Sequence, residues 1–356
     1  MTPTSHGVRA ALILPVLVLI AATAACASAG PASSGSSNSS GSTPSGSAAA
    51  TTPVATPAAT VAAATQTFGG DCEKVLTIAA ASTAIGATVE LFDRVEWGPS
   101  DYASTSLGGL NCVWQGHKAS AQQFIDLIIL PAAVASDPSA KALDCDTTAG
   151  YSECYFNLVV SGYWFSGRDS GKAGTNLAGI KAKTAQLVAA LTASAGTAVA
   201  PTAAPVVAGA WTKPTSCKAL GTLAGVVAAS GSPTLKPSAL DSEPDNPDGY
   251  YAALKTSGYL GCAWATNGTV AAGKLDGFTV ELAGGGAFAK PFAITSDFTP
   301  VTVPGADAAY VQKDGTGIDY LEVFKGSNWA AFEPYGNGMT LAQATPIATA
   351  VLSALG

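Results

Sequence analysis

The sequence predicts an α+β protein of two similar domains, each a mainly antiparallel sheet flanked by an N-terminal and a C-terminal helix. Three observations carry this. Gly108-Gly109-Leu110-Asn111-Cys112-Val113-Trp114 and Gly258-Tyr259-Leu260-Gly261-Cys262-Ala263-Trp264 spell Gly-x-Leu-x-Cys-x-Trp twice. Each copy follows, by 40 and 45 residues, a cysteine that opens a helix-like run, Cys72 in the first half and Cys217 in the second. Strand patterns with hairpin-length links then lead, in each half, to a closing helix, an order that places helices beside an antiparallel sheet.

Before the first domain, residues 1–25 carry one positive charge, Arg9, and an apolar run that is short for a membrane span and suited to a signal sequence. The run ends Thr23-Ala24-Ala25-Cys26, which is similar to a bacterial lipoprotein signal whose cysteine is acylated. A plain secretory signal or an uncleaved anchor is the alternative; neither accounts for Cys26. The expected partner is then the outer leaflet of the plasma membrane, held through acyl chains on the extracytoplasmic side. Residues 26–66 are almost wholly Ser, Gly, Ala, Thr and Pro and read as a disordered tether, with ends ~30–40 Å apart.

The first domain is expected over 67–195. A helix runs from Cys72 to Gly86, and a loop with Trp97 and Tyr102 leads to the Cys112-x-Trp114 strand. Leu110, Cys112 and Trp114 share a strand face, which reads as a core face. Phe124 to Leu130 is a second strand stopped by Pro131. Cys145 and Cys154 suit a local bridge across a hairpin or loop, and Tyr155–Val160 and Tyr163–Phe165 form a hairpin on Ser161-Gly162. Ala178–Ala193 is a helix with Ile180, Leu187, Val188 and Leu191 as its apolar stripe.

Residues 196–210 read as a linker, and the second domain as 211–356. Cys217 opens a helix to Gly231. An acidic loop follows, with Asp241, Glu243, Asp245, Asp248, Tyr250 and Tyr251, then the Cys262-x-Trp264 strand. Gly277–Leu282 alternates as a half-buried strand, and Gly284-Gly285-Gly286 reads as a flexible turn. Ala308–Gln312 and Ile318–Phe324 form a hairpin, Trp329 follows a turn as Trp164 does, and Leu341–Leu355 closes the domain. Pairing Cys72 with Cys112 and Cys217 with Cys262 would staple a helix start to a sheet strand, each worth ~3–4 kcal/mol by loop entropy. Of seven cysteines, Cys26 then stands apart from three pairs, as suits an exported protein.

The signal with Cys26, the Ser/Gly tether, and a helix-opening cysteine followed by Gly and a Cys-x-Trp strand resemble the actinobacterial surface-lipoprotein domains of unknown function, here in tandem. The resemblance implies location and fold and carries Cys72, Cys112, Cys217 and Cys262 over as disulfide partners. It implies no activity.

Charged residues make up only 12% of the chain. Loss of the signal removes Arg9 alone, leaving 16 basic against 24 acidic side chains and a net charge of −8. That balance argues against nucleic acid and against polybasic membrane attachment. His6 and His117 are the only histidines, so neither a histidine-based triad nor a histidine zinc site is expected, and no phosphate-binding glycine loop is present. No catalytic residue, metal or cofactor is expected. Calcium on the acidic loop is disfavoured by Pro244 and Pro247, which break any ligand spacing. Trp97, Tyr102, Tyr250 and Tyr251 lie beside acids in equivalent segments. They either cap each domain's core or form an aromatic-acidic lip for a ligand or partner. The expectation is a non-enzymatic binding or sensing lipoprotein for a small molecule, lipid or wall fragment. The alternative is an interaction scaffold for an envelope protein.

Overall fold

The computed structural model describes residues 64–92, 98–117, 123–135, 138, 141–148, 151–171, 176–199, 207–239, 246–266, 274–313, 317–334 and 338–356. The signal, Cys26 and nearly all of the tether lie outside them, as do Trp97, the acids Asp241, Glu243 and Asp245, and residues 200–206 of the linker.

The first half runs α1 (Cys72–Val75), α2 (Ile78–Ile85), β1 (Val89–Phe92), α3 (Ala103–Ser106), β2 (Leu110–Gly116), β3 (Phe124–Pro131), β4 (Lys141–Thr148), β5 (Tyr151–Val160), β6 (Tyr163–Ser170) and α4 (Leu177–Thr197). The second runs α5 (Cys217–Ala224), α6 (Val226–Ser230), β7 (Lys236–Ala239), α7 (Asp248–Ser257), β8 (Leu260–Ala265), β9 (Gly277–Ala283), α8 (Lys290–Ala293), β10 (Thr299–Val301), β11 (Ala308–Gln312), β12 (Tyr320–Lys325), β13 (Asn328–Pro334) and α9 (Leu341–Leu355). The sheets are ordered β1-β2-β3-β6-β5-β4 and β10-β11-β12-β13-β9-β8-β7, with every pair antiparallel. Read from β7, the second order repeats the first and adds β10. The duplicated sequence pattern is therefore a duplicated topology.

Local chemistry sets the helix ends. Asp71 accepts from the Glu73 N–H to start α1, Thr77 accepts from Ala80 to start α2, and Ser216 accepts from Ala219 to start α5. The expected single helix from Cys72 is two helices, because Leu76 is extended and Thr77 begins a new cap. In the second half Gly225, at φ 58°, makes the same break. Also unlike the expectation, the loops containing Tyr102 and Tyr250 each hold a helix, α3 and α7. The triple glycine is a close-packed corner rather than a flexible turn: a Cβ on Gly284 would lie 2.2 Å from the Trp211 carbonyl oxygen. Asn328 holds that corner, accepting from the N–H groups of Trp211 at 2.7 Å and Gly285 at 3.2 Å.

Each sheet has one face on its own helices. Leu110, Cys112 and Trp114 point inward along β2 and Cys262 and Trp264 along β8, as the alternation predicts. Disulfides join Cys72 to Cys112, Cys217 to Cys262, and Cys145 to the directly opposed Cys154. Leu187 and Leu191 of α4 close the first core; Ile347, Val351 and Leu352 of α9 close the second, where Trp264 stacks on Phe278 at 5.4 Å. Within the first core Thr184 donates to Asp169 at 2.7 Å, and burial lifts that carboxyl from 3.8 to about 6.

The opposite faces meet each other's domain. β3 is buried on both sides, which is why Ile125 to Leu130 reads as a nearly unbroken apolar run. Ile128 and Leu130 on its far side, with Trp164 of the neighbouring β6, pack against Ala252 and Ala253 of α7 from the second domain. At the start of α7 the Gly249 N–H donates to Ser166 Oγ at 2.8 Å, and Asn157 Nδ2 donates to Asp248 at 2.8 Å. In return the segment before α3 crosses to the second sheet. The Ser100 N–H donates to Glu281 Oε2 at 3.1 Å, and Tyr102 packs edge-on to Trp329 at 5.4 Å. Each half thus lends the segment preceding its Cys-x-Trp strand to the other, and the two domains form one compact unit.

Candidate interdomain binding cleft

The reciprocal crossing leaves a cleft of about 1070 Å³ between the domains. Leu91 and Phe92 of the edge strand β1, with Val113 and Asn111 on the outer face of β2, line it from the first domain. Phe288, Phe292 and Phe298, in and after the short helical turns that follow the glycine corner, line it from the second. Tyr102 and Tyr320 also contribute walls, one from each domain. Leu91, Phe92 and Phe292 are among the most exposed large apolar side chains described, at 37%, 45% and 67%. Their exposure is concentrated in one concavity shared by both domains, the form expected of a ligand site. A second hollow of about 600 Å³ lies in the first domain where Phe68 and Tyr163 meet the end of α4 at Val199.

Behind Tyr320 lies a small cavity of about 80 Å³ lined by acids. The sheet register sets its geometry. Ala331 on β13 pairs with Glu322 on β12 and with Glu281 on β9, so the two glutamates flank Ala331 about 10 Å apart, and of the two Glu281 lines the cavity. Two residues along β13, on the same face, Glu333 pairs with Thr279. Tyr320 lines this cavity as well as the cleft. Tyr259 and Ser100 hydrogen-bond Glu281, yet burial and the nearby Asp101 lift its carboxyl from 4.5 to about 7. Glu322 accepts from Trp329 Nε1, while its other oxygen has no partner among the described residues; burial and then the charges of Glu281 and Glu333 push its carboxyl well up. Glu333 is raised by burial and by Asp319.

These shifts give a stability prediction. Asp169 and Glu281 hold protons more tightly folded than unfolded, so the stability they confer is fully present below about pH 4 and is lost as pH rises through about 6 and 7. Each contributes on the order of 3 kcal/mol at most. Urea midpoints are expected to fall from about pH 4 to about pH 8, with Asp169→Asn removing the lower part of the decline and Glu281→Gln the upper part. A flat profile in the parent chain would contradict this assignment.

Of the residues expected to form a lip, Trp97 lies outside the described residues; of the other three, Tyr102 alone lines the cleft, where it is 7% exposed against Phe288 and Trp329. Tyr250 and Tyr251 sit on α7, 5.7 Å apart and edge to face, and Tyr250 packs into the seam with Trp164. Asp248, the one described acid of the expected acidic loop, begins α7 and receives Asn157. His117 forms an exposed pair with Glu90 at 3.3 Å. Among the described residues no group of three His, Cys, Asp or Glu side chains is placed to hold a metal ion, and no helix is long and apolar enough to cross a membrane.

The fold and site define a two-domain α+β protein with an apolar cleft between its domains. Comparison of the chain with protein-family models, with curated proteins and with solved structures gives no match.

Proposed function

We propose that this chain is a non-catalytic binding lipoprotein, tethered outside the membrane through Cys26, that holds one small amphipathic molecule in the interdomain cleft. The observation that carries the reading is the cleft itself: about 1070 Å³, large enough for a ligand of ordinary size, with exposed Leu91, Phe92 and Phe292 converging on it from both domains. The tandem architecture explains the site's position, since neither domain alone supplies both walls. The N-terminal signal and the Ser/Gly tether support the surface location, and they agree with the resemblance to actinobacterial lipoprotein domains. The competing reading, a scaffold for an envelope protein, draws on the same exposed side chains. Their inward, concave arrangement favours a small ligand over a flat protein surface.

Native mass spectrometry of the chain purified from its host membrane, disulfides intact, tests this. A small-molecule adduct beyond the acyl anchor is expected, and Val113→Trp, which fills the cleft from β2, should abolish it. A bare mass, or the mass of a complex with another protein, would overturn the reading.

A further inference from the structure

Resting on the cleft as a binding site, the charge of its surroundings narrows the ligand. Its described walls carry two acids, Asp71 and Asp297, and no Lys, Arg or His. Asp71 is engaged already, capping α1 and lying 3.6 Å from Lys74. Tyr320 then joins the cleft to the acid-lined cavity. Acids raise each of these carboxyls: Asp101, from the segment before α3, acts on Glu281, Asp319, from the turn before β12, on Glu333, and Glu281 and Glu333 on Glu322. Tyr259 and Tyr320 are the phenols in contact with this field, and Tyr320 is held up by burial first and then by Glu333, Asp319, Glu322 and Glu281. A described cation on the same sheet face, Lys290 of α8, lies over the Tyr310 and Phe324 rings at 5.1 and 5.7 Å and does not line the cleft.

We infer that the cleft takes an organic cation with an apolar body. The body lies against Phe92, Phe288 and Phe292, and the cationic head sits against the Tyr320 ring with the glutamates behind it. Aromatic faces attract cations, and more so where water is excluded. Burial and the neighbouring acids make these carboxyls hold their protons more tightly than free carboxyls do. A bound cation favours their charged form, so binding expels protons from the cluster. An anionic amphiphile meets acids and, among the described lining residues, no cationic side chain.

The test is calorimetry on the full chain with three amphiphiles of equal tail length, dodecylammonium, dodecyl maltoside and dodecyl sulfate, each kept below micelle formation. Near pH 7 the ammonium compound is expected to bind at least about tenfold tighter than the maltoside and the sulfate weakest. Its heat should change with buffer ionisation enthalpy in the sense of proton release, and its advantage should shrink as pH falls toward about 5.5. Glu333→Gln and, separately, Glu281→Gln should each lower the ammonium-to-maltoside affinity ratio and the number of protons released. Glu333 is only half-buried, so its variant remains informative if Glu281→Gln folds poorly. Maltoside or sulfate binding as tightly as ammonium, or ammonium binding without proton release, would overturn the charge inference and leave the cleft reading standing. No binding of any of the three would remove both.

Discussion

Replacing Cys217 and Cys262 together by alanine is expected to lower stability by about 4 kcal/mol, the loop-entropy value for a bridge across 45 residues. The bridge fixes the first turn of α5 to β8, two elements otherwise joined through α6, β7 and α7. Beside it Trp264 is fully buried against α5, where a Cβ on Gly221 would lie 3.4 Å from the indole nitrogen, so release of the helix also loosens the largest side chain in that core. Cys145 and Cys154 make the useful contrast. Their bridge spans 9 residues between directly paired positions of a hairpin that the β4–β5 ladder already closes, and its loss should cost less than about 3 kcal/mol. Urea unfolding of the two double variants, followed by tryptophan fluorescence, checks both the magnitude and the ranking. Equal losses would show that the longer bridge does not restrict the unfolded chain as proposed.

The sheet strands were legible because their inner faces alternate strictly. Leu110-x-Cys112-x-Trp114 and its second copy mark the core side of a strand whatever covers the other side. The closing helices were legible from the stripe of Ile180, Leu187 and Leu191, all buried against the sheet. Four-residue β1 and β7 were not, since Val89–Phe92 buries only its first residue and β7 carries Pro237 on an edge. The site was hidden for a different reason. Glu281 and Glu322 occupy positions that a half-buried strand ordinarily gives to solvent, and an acid there reads as surface. Glu281 is covered from the other domain by Ser100, and Glu322 by Trp329 of a neighbouring strand, and a pattern within one strand carries no information about either. The available signal was an excess: Glu281, Glu322 and Glu333 share one sheet face without a basic cross-strand partner, where charged surface strands ordinarily pair opposite signs. Phe288 and Phe292 were missed because three consecutive glycines suggest mobility, whereas here they permit the approach of Trp211 and launch the turn that carries both rings.

Changing Gly249 to valine is expected to part the domains while leaving each one folded. A Cβ at this position would lie 2.7 Å from Ser166 Cβ and 3.1 Å from two atoms of Ile128, on strands that cannot retreat because their other face is packed core. α7 must therefore lift away, and the Gly249 N–H bond to Ser166 Oγ is lost with it. Overpacking together with the lost hydrogen bond should weaken the seam by about 3 kcal/mol. The two cores do not share residues, so a single urea transition in the parent chain should become two, with near-ultraviolet circular dichroism retained before the first. Ser166→Ala removes the acceptor without the clash and should cost only about 1 kcal/mol. The reciprocal contact is softer: a Cβ on Gly98 would meet the Glu281 carboxylate at 3.2 Å, and a side chain can turn aside where strand backbone cannot. Gly98→Ala should accordingly be mild. The consequence for binding follows from the walls. Tyr102 and Phe92 belong to one domain, Tyr320 and Phe292 to the other, so Gly249→Val should lose the bound ligand with both domains intact. Retained ligand in a chain that unfolds in two steps would mean that one domain suffices, and would move the site to the hollow beside Phe68 and Val199.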